Sequence, residues 1–222
     1  MRKAIRILGV LVISLALPLV IPAVSPAIQL DPIADSYVVS TDGDGNYGGT
    51  RGLYVRATAV KTINSYLKFD LTQAVNPSSN VSALKLHLYV ASNTQAGQVQ
   101  ASQVADNWTE TGITWNNAPA ASVLLDTQAV PAGAGWVEWD LLAANGDSWL
   151  AGDLLDGTLS IMLQIAQSPG AGLPYFASES YRDASLQPYL EIVHLPLPPS
   201  ALLLGSGLLG MMITVSRRKK IY

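Results

Sequence analysis

Alternation with a period of two runs through the middle of this chain and decides its fold class. In Leu84-Lys85-Leu86-His87-Leu88-Tyr89-Val90 the leucines and Val90 share one phase, while Lys85, His87 and Tyr89 share the other. Successive side chains of an extended strand point to opposite faces, so this run has one apolar and one polar face. Leu159, Ile161, Leu163 and Ile165 alternate likewise with Ser160, Met162 and Gln164. Val137, Trp139 and Leu141 alternate with Trp136, Glu138 and Asp140, which places Trp139 in the core. Further strands are expected at 36–40, 52–56, 64–69, 99–104 and 189–193, with turn residues at 42–46, 116–119 and 131–135. Helical patterning is nearly absent, with one short helix expected within 141–155. Many short strands joined by polar turns predict an all-β domain, a two-sheet antiparallel β-sandwich or jelly roll.

The two ends follow other rules. Arg2, Lys3 and Arg6 precede an apolar run from Ile7 to about Val24, and small residues follow at Ser25 and Ala27. That order describes a secretory signal peptide, residues 1–27, removed by signal peptidase and excluded from the fold. At the other end Pro196, Pro198 and Pro199 stop regular structure, Ala201 to Val215 is apolar, and Arg217, Arg218, Lys219 and Lys220 follow. Counted from Leu195, the segment reaches the roughly 20 residues that a membrane-spanning helix needs. The terminal cations would stay cytoplasmic, leaving the body outside. A sandwich over 28–194 is thus expected between the signal peptide and a transmembrane tail over 195–222. The expected location is an exported, membrane-anchored precursor, then the cell surface or extracellular matrix.

Separating the ends changes the charge. All sixteen carboxylates lie between Asp31 and Glu191, but only six of the thirteen Lys and Arg do, so the body carries −10. Such a domain repels nucleic acid. Cysteine is absent, which excludes disulfides and thiol chemistry. With two histidines and no nucleophile-elbow motif, Ser-His-Asp chemistry has little to work with. Asp106 with Glu110, or Glu138 with Asp140, would be the carboxylate pairs for glycoside hydrolysis. Carboxylates on an exposed sheet face are common without catalysis, so the chain is read as a non-enzyme.

Binding is the better use of these residues. Asp42-Gly43-Asp44-Gly45-Asn46 places three oxygen side chains at alternate positions, the donor type calcium takes, although an acidic glycine turn also serves simply as a turn. Exposed aromatics can stack on the apolar face of a pyranose. Trp136 and Trp108 are the surface candidates, with Tyr37, Tyr47, Tyr54, Arg51 and Arg56 near the first loop, while Trp115 reads as structural. The basic residues would suit an anionic polysaccharide.

A resemblance then enters through motifs taken in order. They are Ala34-Asp-Ser-Tyr-Val38, Asn46-Tyr-Gly48, Leu53-Tyr-Val55, Tyr66-Leu-Lys-Phe-Asp70 and Ala83-Leu-Lys-Leu-His-Leu-Tyr89. Asn107-Trp-Thr-Glu110, Gly112-Ile-Thr-Trp-Asn-Asn-Ala-Pro119, Phe176-Ala-Ser-Glu179 and Pro188-Tyr-Leu-Glu-Ile192 complete the set. In these the body resembles the DNRLRE domain, a β-sandwich family related to carbohydrate-binding modules. The resemblance implies a structural calcium near Asp35 and Glu179. The chain departs from that pattern at Lys68, where the family commonly has Arg, and at Ser178-Glu179, where an intervening Arg is missing. The tail resembles a bacterial PEP-CTERM sorting signal, with Leu197 in place of the usual glutamate, which implies cleavage by an exosortase-type enzyme near Pro196 to Ser200. Together these predict an exported, non-catalytic domain that recognises extracellular polysaccharide. The alternative is a structural matrix or surface protein without a defined sugar ligand.

Overall fold

The computed structural model describes residues 27–74, 81–166 and 174–195, and there the alternating segments are strands. In chain order they are β1 (Ile28–Leu30), β2 (Pro32–Val39), β3 (Gly52–Tyr54), β4 (Arg56–Ala57), β5 (Thr62–Asp70) and β6 (Val81–Ser92). β7 (Gly97–Val104), β8 (Ala121–Val130) and β9 (Gly135–Asp140) follow, then helix α1 (Ala151–Asp156), β10 (Thr158–Ile165), β11 (Tyr175–Ala177) and β12 (Tyr189–His194). The expected short helix is therefore α1, stopped by Gly157 in the left-handed conformation with its N–H on the Asp153 carbonyl. The expected signal peptide and sorting tail lie outside the described residues, including Pro196, Pro198, Pro199, Arg217 and Arg218. No helix among the described residues is long and apolar enough to cross a membrane.

The strands form two antiparallel six-stranded sheets. In sheet B the order is β2-β5-β10-β7-β8, with β4 also on β5. Sheet A is built around β6. β9 and β12 both pair with residues 85–87 of β6, so they occupy opposite edges of it. β11 continues along the β12 edge, carrying β3 outside it, while β1 lies outside β12. The leucine phase of β6 faces inward with Trp139, Phe176, Leu190 and Ile192, and meets Leu67, Phe69, Leu159, Ile161 and Leu163 of sheet B. Trp139 fills the centre and donates its indole N–H to the Val99 carbonyl of sheet B at 3.0 Å. The core placement of Trp139 is as its phase predicts.

Sheet B has a second apolar layer on its outer face. The segment 105–120 folds over that face, seating Trp108 and Ile113 on Ala34, Val38, Tyr66, Val104 and Met162. Trp108, expected at the surface, is only 5% exposed. Its ring packs edge-on against Tyr66, and its indole N–H donates to Ser160 Oγ at 3.0 Å. Lys68 Nζ stands 4.6 Å from the Trp108 ring centre and donates to the carbonyls of Asp106 and Trp108. A buried indole needs a partner for its N–H, and here it has one. Trp108 is thus corrected from a sugar-stacking residue to the anchor of this covering loop, and Lys68 locks the loop down.

Candidate functional site

Where β2 of sheet B and β3 of sheet A run side by side, four tyrosines form a continuous array. Tyr47 stacks on Tyr37 at 4.5 Å, Tyr37 meets Tyr54 edge-on at 5.1 Å, and Tyr54 stacks on Tyr175 at 4.9 Å. The pairing of β3 with β11 places Tyr54 directly opposite Tyr175. Tyr175 lies flat because residue 52 is glycine: a Cβ there would fall inside its ring. Asp42 accepts a hydrogen bond from the Tyr47 hydroxyl, which holds that phenol's pKa up at about 12 and fixes the ring.

Tyr37, Tyr47 and Tyr54 line a cleft of about 220 Å³, whose remaining wall includes Arg56 and Lys61. The cations are held by local structure. Arg56 starts β4, which pairs with β5, and a turn with Thr58 bonded to Lys61 through both backbone and hydroxyl brings Lys61 back beside it. Arg51 stands at the Tyr175 end, where its carbonyl accepts from the Tyr175 hydroxyl at 3.3 Å. None of Arg51, Arg56 and Lys61 is in an ion pair among the described residues, unlike Lys85, which holds Glu138 at 2.7 Å. Three of the body's six cations therefore gather beside a tyrosine wall. Of the residues proposed from sequence, Tyr37, Tyr47, Tyr54 and Arg56 line the cleft and Arg51 flanks it. Lys61 and Tyr175 complete the group.

Trp136 stands elsewhere, on the outer face of sheet A and 43% exposed. It meets Tyr89 and Tyr189 edge-on at 5.6 and 5.5 Å, and no ring contact among the described residues joins this group to the tyrosine array. His87 stacks on Tyr189 at 4.4 Å with Nε2 3.3 Å from a Glu191 oxygen, and burial lowers its pKa. The candidate hydrolytic carboxylates are engaged with other groups. Glu138 serves Lys85, Asp140 Oδ1 accepts from Leu142 N, and Glu110 lies with Asp35 and Glu179 rather than with Asp106.

The metal candidates divide in two. The structure does not gather Asp42, Asp44 and Asn46 around one point. Asp42 serves Tyr47, Asp44 accepts from the Asn116 amide at 2.9 Å, and Asn46 donates to the carbonyls of Glu110 and Ile113 at 2.8 and 2.7 Å. The Asp42–Asn46 turn is a clasp that docks on the covering loop of sheet B. Asp35 and Glu179 do meet: the Glu179 N–H donates to Asp35 Oδ2 at 2.6 Å, and Glu110 hydrogen-bonds the Glu179 carboxyl. Burial, then the neighbouring carboxylates, pushes Asp35 and Glu179 each up to about 7. Among the described residues, no three His, Cys, Asp or Glu already stand at metal-ligating geometry.

A family model described as carbohydrate-binding module family 96 matches residues 26–194, most of the chain and all of both sheets. The search of curated proteins found no match to the chain.

Proposed function

The chain belongs to carbohydrate-binding module family 96, and from that premise we propose that its tyrosine–arginine cleft binds an acidic polysaccharide outside the cell, without catalysing a reaction on it. The observation that carries this reading is the gathering of Arg51, Arg56 and Lys61, free of ion pairs among the described residues, beside stacked tyrosines. A uronate ring offers an apolar face to a phenol and a carboxylate to a guanidinium, whose planar fork binds it bidentately. The body's charge of −10 opposes a polyanion only at long range. At physiological salt, screening over about 8 Å leaves the local cations to decide.

Titration of the full chain with oligogalacturonate and oligoguluronate tests the proposal. Arg56→Ala and Lys61→Ala are each expected to weaken binding about tenfold, equivalent to about 1.4 kcal/mol, and the double variant to abolish it. Unchanged affinity in the double variant would sink the assignment.

Calcium is proposed at Asp35, Glu110 and Glu179, which supply oxygen donors of the kind that ion takes. Bound calcium would supply charge neutralisation for this carboxylate group. The proposed route to the surface is export, anchoring by the C-terminal segment, and exosortase-type release near Pro196 to Ser200. The intact mass of the extracellular protein tests it: retention of the tail through Tyr222 would contradict release.

A further inference from the structure

On the outer face of sheet B, beside the covering loop, lies a groove of about 350 Å³. That is within the size range of small-ligand sites, roughly 300–1,000 Å³. Trp115 and Pro119 come from the loop, Asn64 and Tyr66 from β5, and Met162 and Gln164 from β10. No charged side chain lines it. Its polar groups are unevenly satisfied. The Tyr66 hydroxyl donates to the Pro119 carbonyl at 3.2 Å, and Gln164 Nε2 donates to Gln100 Oε1 at 3.1 Å. Asn64 bonds the Tyr66 phenol and its Oδ1 is buried out of reach of the groove. The Gln164 amide uses its Nε2 on Gln100, which leaves its oxygen to accept from a ligand that brings donors.

We propose that this groove is a second carbohydrate site, one that takes a neutral pyranose by hydroxyl donation to the Gln164 amide oxygen and by stacking on Trp115. It rests on the carbohydrate-binding reading above but adds a separate site with a different ligand class. Neighbouring residues of a strand face opposite ways. Val38 and Asn64 belong to the groove, while Tyr37, Val39 and Ile63 belong to the cleft. The two sites stand back to back across β2 and β5. One domain then holds a neutral and an acidic chain at once and joins them.

The test is calorimetric titration of the full chain with cello-, laminari-, malto- and mannohexaose, each with and without saturating oligogalacturonate. At least one neutral hexaose is expected to bind with an affinity that the acidic ligand changes less than twofold. Trp115→Ala and Gln164→Ala should each weaken that binding at least tenfold and leave oligogalacturonate affinity within twofold. Gln164→Ala decides the matter if Trp115→Ala fails to fold. Three results overturn the second site: no neutral binding while oligogalacturonate binds, competition between the two ligands, or insensitivity to both substitutions. Loss of acidic binding alone, with neutral binding intact, would instead strike the cleft and leave the groove standing.

Discussion

Trp108→Ala is expected to lower the free energy of unfolding by about 3–5 kcal/mol, and Trp136→Ala by no more than about 1 kcal/mol. The contrast follows from where each indole sits. Trp108 is buried between the outer face of sheet B and its own loop, against Tyr66. Its removal leaves a cavity, takes one of the hydrogen bonds from the fully buried Ser160 Oγ, and takes the ring from under Lys68 Nζ. Trp136 is 43% exposed and its ring meets Tyr89 and Tyr189 edge-on at the surface. Urea melts would show the Trp108→Ala midpoint falling with an unchanged slope, since the surface exposed on unfolding stays nearly the same. Trp108→Phe should fall between, because it keeps most of the packing but loses the hydrogen bond. If the two alanine variants lose stability equally, the covering loop is not the anchored layer described.

The misplacement of Trp108 shows where strand periodicity stops being informative. Alternation located β6, β9 and β10 because each has one face on the core and contains six or more residues. It also put Trp139 where it is. β1 and β11 have three residues each, too few for a period to register. β8 was hidden for another reason. Its pairing with β7 shifts register between Ala101 and Ser102, opposite Leu124 to Asp126, so exposed Leu124 directly precedes buried Leu125. A bulge inserts one residue and inverts the phase.

The covering loop had a signal that period-two reading assigned to the solvent side. Met162 shares the phase of Ser160 and Gln164, yet it is apolar and buried. An apolar residue in the water-facing phase indicates that something covers that face. The tyrosine array was legible only in pieces, because Tyr175 is brought to Tyr54 by the β3–β11 pairing and not by proximity in sequence. The acidic turn was misleading in its chemistry. Alternate oxygens suggested one metal, whereas the fold directs Asp44 and Asn46 to different partners in the covering loop and Asp42 to the Tyr47 hydroxyl.

In chelator, the domain is expected to become more stable as pH falls from about 8 to about 5, and millimolar calcium should reverse that trend. The folded pKa of Asp35, about 7, lies above its ordinary 3.8, and that of Glu179, also about 7, above 4.5. Between those limits the folded protein holds protons that the unfolded chain has released. Stability is therefore lost as pH rises toward the folded pKa and regained as pH falls through it. Each pKa unit of separation corresponds to about 1.4 kcal/mol, and the half-exposed Glu179 contributes less than Asp35. Asp153, buried in α1 and also held at about 7 by burial, adds the same slope independently of calcium. Its neighbours are Gln103, Asp106 and Asp156, so Asp153→Asn in every sample removes that background while leaving an amide oxygen for Gln103. Calcium favours the ionised carboxylates, so binding strengthens as the protons leave, and its stabilisation grows with concentration as the logarithm of occupancy requires. Melting temperatures at pH 5.5 and 7.5, each in chelator and in calcium, separate the cases. A higher value at pH 5.5 in chelator, overtaken at pH 7.5 in calcium, supports the ion. Acid stabilisation that calcium leaves untouched would mean that protons alone neutralise Asp35 and Glu179, and the calcium assignment would fall.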